Sequence, residues 1–216
     1  AHDPRVQNAI PLSGFETVPS TYQFIKGLLR KYDDLKIDAD HMMAISPDEG
    51  ATGRAIYFAN VLGLDMGMFY KRRDYSTIVD GRNPIVAHEY MGNDVAGKDV
   101  FIADDIISSG ESMLDIAVEL KKRKANKIYC YATYPIFTNG LEAFNKAYAD
   151  GIIDGVFGTN LTYRTPELLS SPWFYEVDCS KYIAYFIASL NHDKSISQVI
   201  DPHTKIEALL KKYGIK

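Results

Sequence analysis

The sequence has few of the features that mark secreted, membrane-spanning or nucleic-acid-binding proteins. Only two of its 216 residues are cysteines. Both Cys130 and Cys179 lie in apolar runs, so we interpret them as reduced core residues, not as a disulfide or metal pair. No run of about 18 apolar residues occurs, and no membrane span is expected. The net charge of -4 provides no broad positive surface for nucleic acid.

The first residues lack both an initiator methionine and a signal peptide, because the chain opens on Ala-His-Asp-Pro. The sequence therefore predicts a cytoplasmic protein, present here as a fragment or a processed product.

Short apolar runs alternate with amphipathic stretches along the chain. The run at 100–103 is continuously apolar, which is typical of a strand covered on both faces, and the stretch at 111–122 has apolar residues at helical spacing. Strands separated by helices predict an α/β fold with a mostly parallel twisted sheet flanked by helices. Strands are predicted at 42–46, 65–70, 85–90, 100–103, 127–133, 155–159 and 174–177, and helices at 21–31, 50–62, 111–122, 141–149, 181–190 and 204–212.

The most informative segment, 100–113, reads VFIADDIISSGESM. An apolar strand leads into two adjacent acids, a turn of serines with one glycine, and a helix. Backbone N–H groups and the positive end of the helix dipole, together with the hydroxyls, can surround a phosphate. The adjacent acids would repel each other unless a metal or sugar hydroxyls partner them. An ordinary capped helix with carboxylates near its start is the alternative interpretation.

This segment resembles the signature of the phosphoribosyltransferase fold, where Asp-Asp is followed by two apolar residues and Asp-Thr-Gly-Gly-Thr. The resemblance implies that the two acids bind the ribose hydroxyls, directly or through metal, while the loop holds the 5-phosphate. Ser108 departs from the usual third acid and Glu111 from the usual glycine. The resulting ribose-5-phosphate site comprises Asp104, Asp105, Ser108, Ser109, Gly110, Glu111 and Ser112.

Two further segments resemble motifs of one branch of the fold, the ribose-phosphate diphosphokinases. Residues 1–11 match the end of Asp-Leu-His-Ala-x-Gln-Ile-Gln, and residues 44–50 match Val-Ser-Pro-Asp-x-Gly. The resemblance implies that His2 and Asp48 lie around the magnesium that accompanies ATP, and a carboxylate is a suitable ligand for this ion. A terminal histidine without a role and a helix-capping aspartate are the alternatives.

The run at 69–73, FYKRR, is similar to the Lys-x-Arg that opens the catalytic loop of the same family. Lys71 and Arg73 would stabilise the charge on the polyphosphate as it is transferred. A solvated basic strand end is the alternative. Near the end of the chain, Ser195 and Ser197 resemble the Ser-Val-Ser of the family, which implies a regulatory phosphate site.

The resemblance also implies a domain organisation. Residues 15–191 would form the phosphoribosyltransferase-like domain, 1–14 would be the remnant of a motif belonging to an N-terminal half, and 192–216 would pack on that absent half. The family assembles into dimers and hexamers. The predicted helix at 181–190 is apolar around most of its circumference, so it is expected to lie in a homo-oligomer interface or in the core.

The function implied is that of a ribose-phosphate pyrophosphokinase, which transfers diphosphate from ATP to O1 of ribose 5-phosphate to give PRPP and AMP. Mg²⁺ would be the cofactor, and His2, Lys71 and Arg73 the catalytic residues. The isolated chain is expected to bind ribose 5-phosphate and to turn over little. The alternatives are a non-catalytic regulatory or scaffold subunit, favoured by Ser108 and Glu111, and a nucleobase phosphoribosyltransferase.

Overall fold

The computed structural model describes residues 2–12, 14–73, 76 and 85–215. Its strands are β1 (Met42–Ser46), β2 (Asp65–Arg73), β3 (Ile85–Met91), β4 (Asp99–Ile107), β5 (Ile128–Pro135), β6 (Gly155–Thr159) and β7 (Phe174–Val177). Its helices are α1 (Thr21–Lys31), α2 (Thr52–Leu62), α3 (Glu111–Lys122), α4 (Glu142–Ala149), α5 (Pro166–Ser170), α6 (Ser180–Asn191), α7 (Ser197–Ile200) and α8 (His203–Lys212). A short 3₁₀-helix, Pro4–Ala9, precedes them.

The strands form one sheet in the order β3-β2-β1-β4-β5-β6-β7. All neighbouring pairs are parallel except β2 and β3, which run antiparallel at one edge. The predicted α/β fold with a mostly parallel sheet is therefore confirmed. The strand order changes direction between β1 and β4, and such a junction is where open α/β sheets bind ligands, beyond the carboxyl ends of the strands.

Helices cover both faces of the sheet and give it two apolar layers. In β4, Val100 and Ile102 pack in the layer formed with α3 and α4. Phe101 and Ala103 pack in the layer formed with α1, α2 and α8. The continuous apolar run is thus explained by burial on both faces, and β4 is held rigidly in the centre of the domain.

The prediction that β4 ends before the two acids is wrong. The strand continues to Ile107, because Ile106 pairs with Tyr134 and Ile107 with Pro135 of β5. Asp104 and Asp105 consequently belong to the last part of a central strand, where backbone pairing fixes their positions.

The C-terminal segment contributes to the core of this chain. Ile206 and Leu210 of α8 are fully buried in the same layer as Phe24 and Leu28 of α1. The apolar side of α8 therefore has its partner within the domain. The proposed boundaries at 14 and 191, and packing of the tail on a further half, stay predictions.

Core burial does not account for the apolar character of α6. Phe186 is the buried residue of this helix, whereas Tyr185, Ile187 and Leu190 are 54%, 63% and 62% exposed. An interface between copies of the chain stays a prediction. No helix in the described part of the chain has the length and apolar character to cross a membrane.

Candidate functional site

A cleft of about 1000 Å³ lies over the carboxyl ends of β1 and β4, at the junction where the strand order changes. It brings together five of the predicted site residues, which come from three distant parts of the sequence. They are His2, Asp48, Asp104, Asp105 and Ser108. Their convergence follows from the topology, since β1 and β4 are neighbours in the sheet although more than 50 residues separate them in the chain.

The two adjacent acids are partnered by a cation that the sequence analysis missed. Arg54, on α2, places its guanidinium 3.4 Å from an oxygen of Asp104 and 3.6 Å from one of Asp105. Arg54 lies in the first turn of its helix, where a positive charge opposes the helix dipole. That unfavourable position was a signal that the side chain serves a nearby anion.

His2 provides a second cation. Its Nδ1 lies 2.8 Å from Oδ2 of Asp105, and this hydrogen bond raises the pKa of His2 above its ordinary value. Burial alone would raise the pKa of Asp105, but the hydrogen bond to His2 and the charge of Arg54 outweigh burial and lower it. Asp105 is therefore held as a carboxylate.

Asp104 has the opposite tendency. Burial is the largest influence on this group, and the pKa of Asp104 is raised to about 6 although the backbone N–H of Asp105 donates to it. The two acids thus have separated pKa values, a pattern common at functional sites. A sugar with two neighbouring hydroxyls would meet one firmly ionised carboxylate and one that takes up a proton just below neutral pH.

This difference gives a testable pH dependence. A carboxyl whose pKa is higher in the folded than in the unfolded protein stabilises the fold below the unfolded pKa, and that stability is lost as the pH rises through the folded pKa. Relative to Asp104→Asn, the free energy of unfolding of the original chain should fall by roughly 2 kcal/mol between about pH 4 and pH 7. Urea unfolding across this range measures it, with Asp115→Asn, an exposed acid on α3, as the control. A difference that stays flat over this range contradicts the raised pKa.

The serine loop follows β4 and encloses a smaller cavity of about 160 Å³. Ser108, Ser109, Gly110 and Ser112 line this cavity together with both Asp48 and Asp104. Gly110 has a φ of +83°, and this left-handed conformation turns the chain into α3. The loop therefore has the predicted layout, with hydroxyls and the start of a helix grouped beside the acids.

Glu111, the residue that departs most from the phosphoribosyltransferase signature, points elsewhere. It is not among the residues that line the smaller cavity, and its Oε1 accepts a hydrogen bond of 3.2 Å from Nδ2 of Asn139. Asn139 is the second residue that sequence reasoning missed. Its amide is the observed partner of the Glu111 carboxylate.

Asp48 lies both at the start of a helix and at the edge of the cleft. Its Oδ1 accepts a hydrogen bond of 3.1 Å from the backbone N–H of Ala51, just before α2, so it does cap the approach to that helix. It also lines both the cleft and the smaller cavity. Within the described residues no cluster of three or more acids, histidines or cysteines could enclose a metal ion. Magnesium does not require one, since it commonly uses one or two carboxylates with substrate phosphates and water.

Two pairs of predicted residues are not among those that the structure brings together in the cleft. The backbones of Lys71 and Arg73 belong to β2, but their side chains lie outside the described residues. Tyr70, just before them, lines the cleft, so β2 borders the cleft at this residue. Ser195 and Ser197 are exposed and hydrogen-bond each other at 3.0 Å, and neither lines the cleft.

Comparison with known proteins identifies the family of this chain. Residues 14–153 match the model of the phosphoribosyl transferase domain family. A ribose-phosphate pyrophosphokinase of Shewanella oneidensis is 30% identical over 88% of this chain and 57% of its own length. One of Thermococcus kodakarensis is 33% identical over 70% of this chain and 55% of its own length. The chain thus spans a little over half the length of these relatives.

Among solved structures, the phosphoribosylpyrophosphate synthetase of Mycobacterium smegmatis superimposes with a TM-score of 0.70 at 19% identity. The match covers 89% of this chain and 57% of that chain, and at this identity it speaks for the fold. The resemblance inferred from the motifs is confirmed by the curated relatives. The family model covers residues 14–153, which include β1 to α4 and the serine loop. The chain therefore belongs to the phosphoribosyl transferase domain family.

Proposed function

We propose that this chain is the ribose-5-phosphate-binding part of a ribose-phosphate pyrophosphokinase. The observation that carries the proposal is the meeting of Asp104 and Asp105 with the serine loop at the β1–β4 junction. Two acids suit the neighbouring hydroxyls of ribose, and the loop with the start of α3 suits a phosphate. A sugar phosphate carries both kinds of group in one small molecule.

The names of the relatives support the choice of reaction. In that reaction O1 of ribose 5-phosphate attacks the β-phosphorus of ATP, the bond from this phosphorus to the α-phosphate oxygen breaks, and AMP leaves. The acids would hold the sugar so that O1 faces the nucleotide. Lys71 and Arg73 are proposed to stabilise the charge that develops on the transferred group, and His2, beside Asp105, completes the catalytic set.

Magnesium is the proposed cofactor. Asp48 has the right donor chemistry for it, since it is a carboxylate that borders both the cleft and the phosphate cavity. The ring of His2 is directed to Asp105, and its role as a magnesium ligand is the weaker part of this set, because magnesium prefers oxygen. When bound, the ion neutralises charge on the phosphates.

Binding of ribose 5-phosphate is the first test. Calorimetric titration of the sugar phosphate into the chain with magnesium should show saturable binding, and Asp105→Ala should weaken it at least tenfold, because about 1.5–3 kcal/mol of charged hydrogen bonding is lost. Asp115→Ala, which removes an exposed acid from α3, should leave it unchanged. Equal binding by the two variants would place the sugar elsewhere.

The remaining proposals concern the whole protein. Because the chain spans just over half of its relatives, turnover is proposed to need a segment equivalent to their other half, and a homo-oligomer is proposed through the exposed face of α6. Ser195 and Ser197 are proposed to hold a regulatory phosphate. If a chain restored to the length of the relatives binds ribose 5-phosphate but forms no PRPP from ATP, the protein is instead a binding or scaffold subunit.

A further inference from the structure

The two acids of the cleft are consecutive residues of β4, and consecutive strand residues point to opposite faces of a sheet. Asp104 continues the series of Ile102, which packs in the layer formed with α3 and α4. Asp105 continues the series of Ala103, which packs in the layer formed with α1, α2 and α8. The alternation of β4 therefore separates the two acids, and their joint use by one sugar needs an explanation.

The surroundings of the two carboxylates show the same divergence. Asp104 lines the cavity of the serine loop, and Asp105 is not among the described residues that line it. Asp105 lines a different cavity of about 570 Å³ beside α1 and α6, and Asp104 is not among its described lining residues. The cleft is the place where both acids are found.

Arg54 is the side chain that contacts both acids. Its Nη1 lies 3.4 Å from Oδ1 of Asp104, and its Nη2 lies 3.6 Å from Oδ2 of Asp105. Neighbouring carboxylates repel each other, and a guanidinium that faces both opposes this repulsion. Arg54 also lines the cleft, so the contact joins the two diverging acids on the side from which a ligand enters.

The packing of α2 on β4 fixes the position of Arg54. Phe58 follows one turn later on the same face of the helix. It is fully buried, and its ring packs edge-on against Phe101 of β4, with 5.3 Å between the ring centres and 74° between the planes. Phe101 and Asp105 share one face of the strand. One face of α2 therefore lies along one face of β4, with Phe58 at Phe101 and Arg54 at Asp105.

The contacts of Arg54 leave the acids able to accept further hydrogen bonds. Distances of 3.4 and 3.6 Å exceed the 2.7–3.2 Å that is usual for an N–H···O hydrogen bond, and an ionised carboxylate has about four acceptor positions. The hydroxyls on adjacent carbon atoms of ribose are suitable donors. Both can be bound at once only by acids that are held on the same side of the sugar.

We infer that Arg54 is a positioning residue, which holds the carboxylates of Asp104 and Asp105 towards the same cleft so that together they bind the neighbouring hydroxyls of ribose. Arg54 thereby determines the preference for ribose over a 2-deoxy sugar. The inference rests on the proposed function and deepens it. The planar guanidinium has a fixed fork of donors that can face two carboxylates, whereas the ammonium of lysine is a single point charge.

The test compares ribose 5-phosphate with 2-deoxyribose 5-phosphate by calorimetric titration of the chain with magnesium. The original chain should bind the ribose compound about tenfold more tightly or better, because the deoxy sugar leaves a carboxylate without its hydroxyl partner. In Arg54→Lys, which keeps the charge and loses the fork, this preference should shrink about fivefold, through weaker binding of ribose 5-phosphate. Arg54→Met should reduce the preference at least as much.

The preference is a ratio measured within each variant, so a loss of stability, which weakens both sugar phosphates alike, does not change it. Arg30→Lys, the same substitution at an exposed arginine in the last turn of α1, should keep the original preference. An unchanged preference in both Arg54 variants, or an original chain that binds both sugar phosphates equally, would overturn the role of Arg54 and leave the proposed function standing. Absence of ribose 5-phosphate binding by the original chain would overturn both.

Discussion

Gly110→Ala should lower the free energy of unfolding by about 2–5 kcal/mol, from left-handed strain of about 1–2 kcal/mol and overpacking of about 1–3 kcal/mol. An alanine Cβ would lie 2.3 Å from Cε2 of Phe144 and 3.3 Å from Cγ2 of Ile107. Phe144 has no room to retreat, because its ring is fully buried, lies 4.9 Å from that of Phe137 and stacks on that of Trp173 at 5.4 Å.

The same chain offers a matched control. Gly97 has a φ of +76° and an alanine Cβ there would meet nothing within 4 Å, so Gly97→Ala has the backbone strain without the contact. The difference between the two variants in urea unfolding isolates the clash with Phe144. Gly110→Ala should also weaken ribose 5-phosphate binding, since the loop must move, while Gly97→Ala retains it. Equal costs for the two substitutions would mean that the loop adapts freely and is not held by the core.

The identity of the fold was accessible from sequence because its signals are local. Met42–Ser46 is a short apolar run and Phe174–Val177 a short run rich in aromatic and β-branched residues, and the structure has strands at the same bounds. The direction of β3 could not be predicted from local sequence. It pairs antiparallel with β2, and nothing in the composition of either strand specifies which way a terminal strand of the sheet runs.

The residues of the candidate site also differ in whether local sequence identifies them. Asp104, Asp105 and the serine loop could be named because they are contiguous and follow an apolar run. The contact of Arg54 with the acids depends on the placement of α2 over β4. That placement follows from the order of the strands in the sheet. The extension of β4 past the acids depends likewise on how far β5 continues beside it, which local propensity does not determine.

Removal of the Arg54 guanidinium should also destabilise the fold strongly. Arg54→Met should lower the free energy of unfolding by about 2–3 kcal/mol at neutral pH, between the values typical of exposed and of buried ion pairs. The guanidinium is about a quarter exposed, at 28%, and it faces two adjacent carboxylates. Without it, the cation that remains on this pair among the described side chains is His2, which is 78% exposed and contributes correspondingly little at neutral pH.

The pH dependence of this cost distinguishes charge from packing. Arg54 lowers the pKa of both Asp104 and Asp105, so its removal makes the folded protein bind protons more tightly. The stability lost in Arg54→Met should therefore be largest above the pKa of Asp104, at about pH 7, and should shrink as the pH falls towards 4. Arg30→Met, at an exposed arginine in the last turn of α1, is the control for loss of a helix-surface cation. A cost for Arg54→Met that is the same at both pH values would show that Arg54 acts through packing alone, and that the two acids are stabilised by other groups.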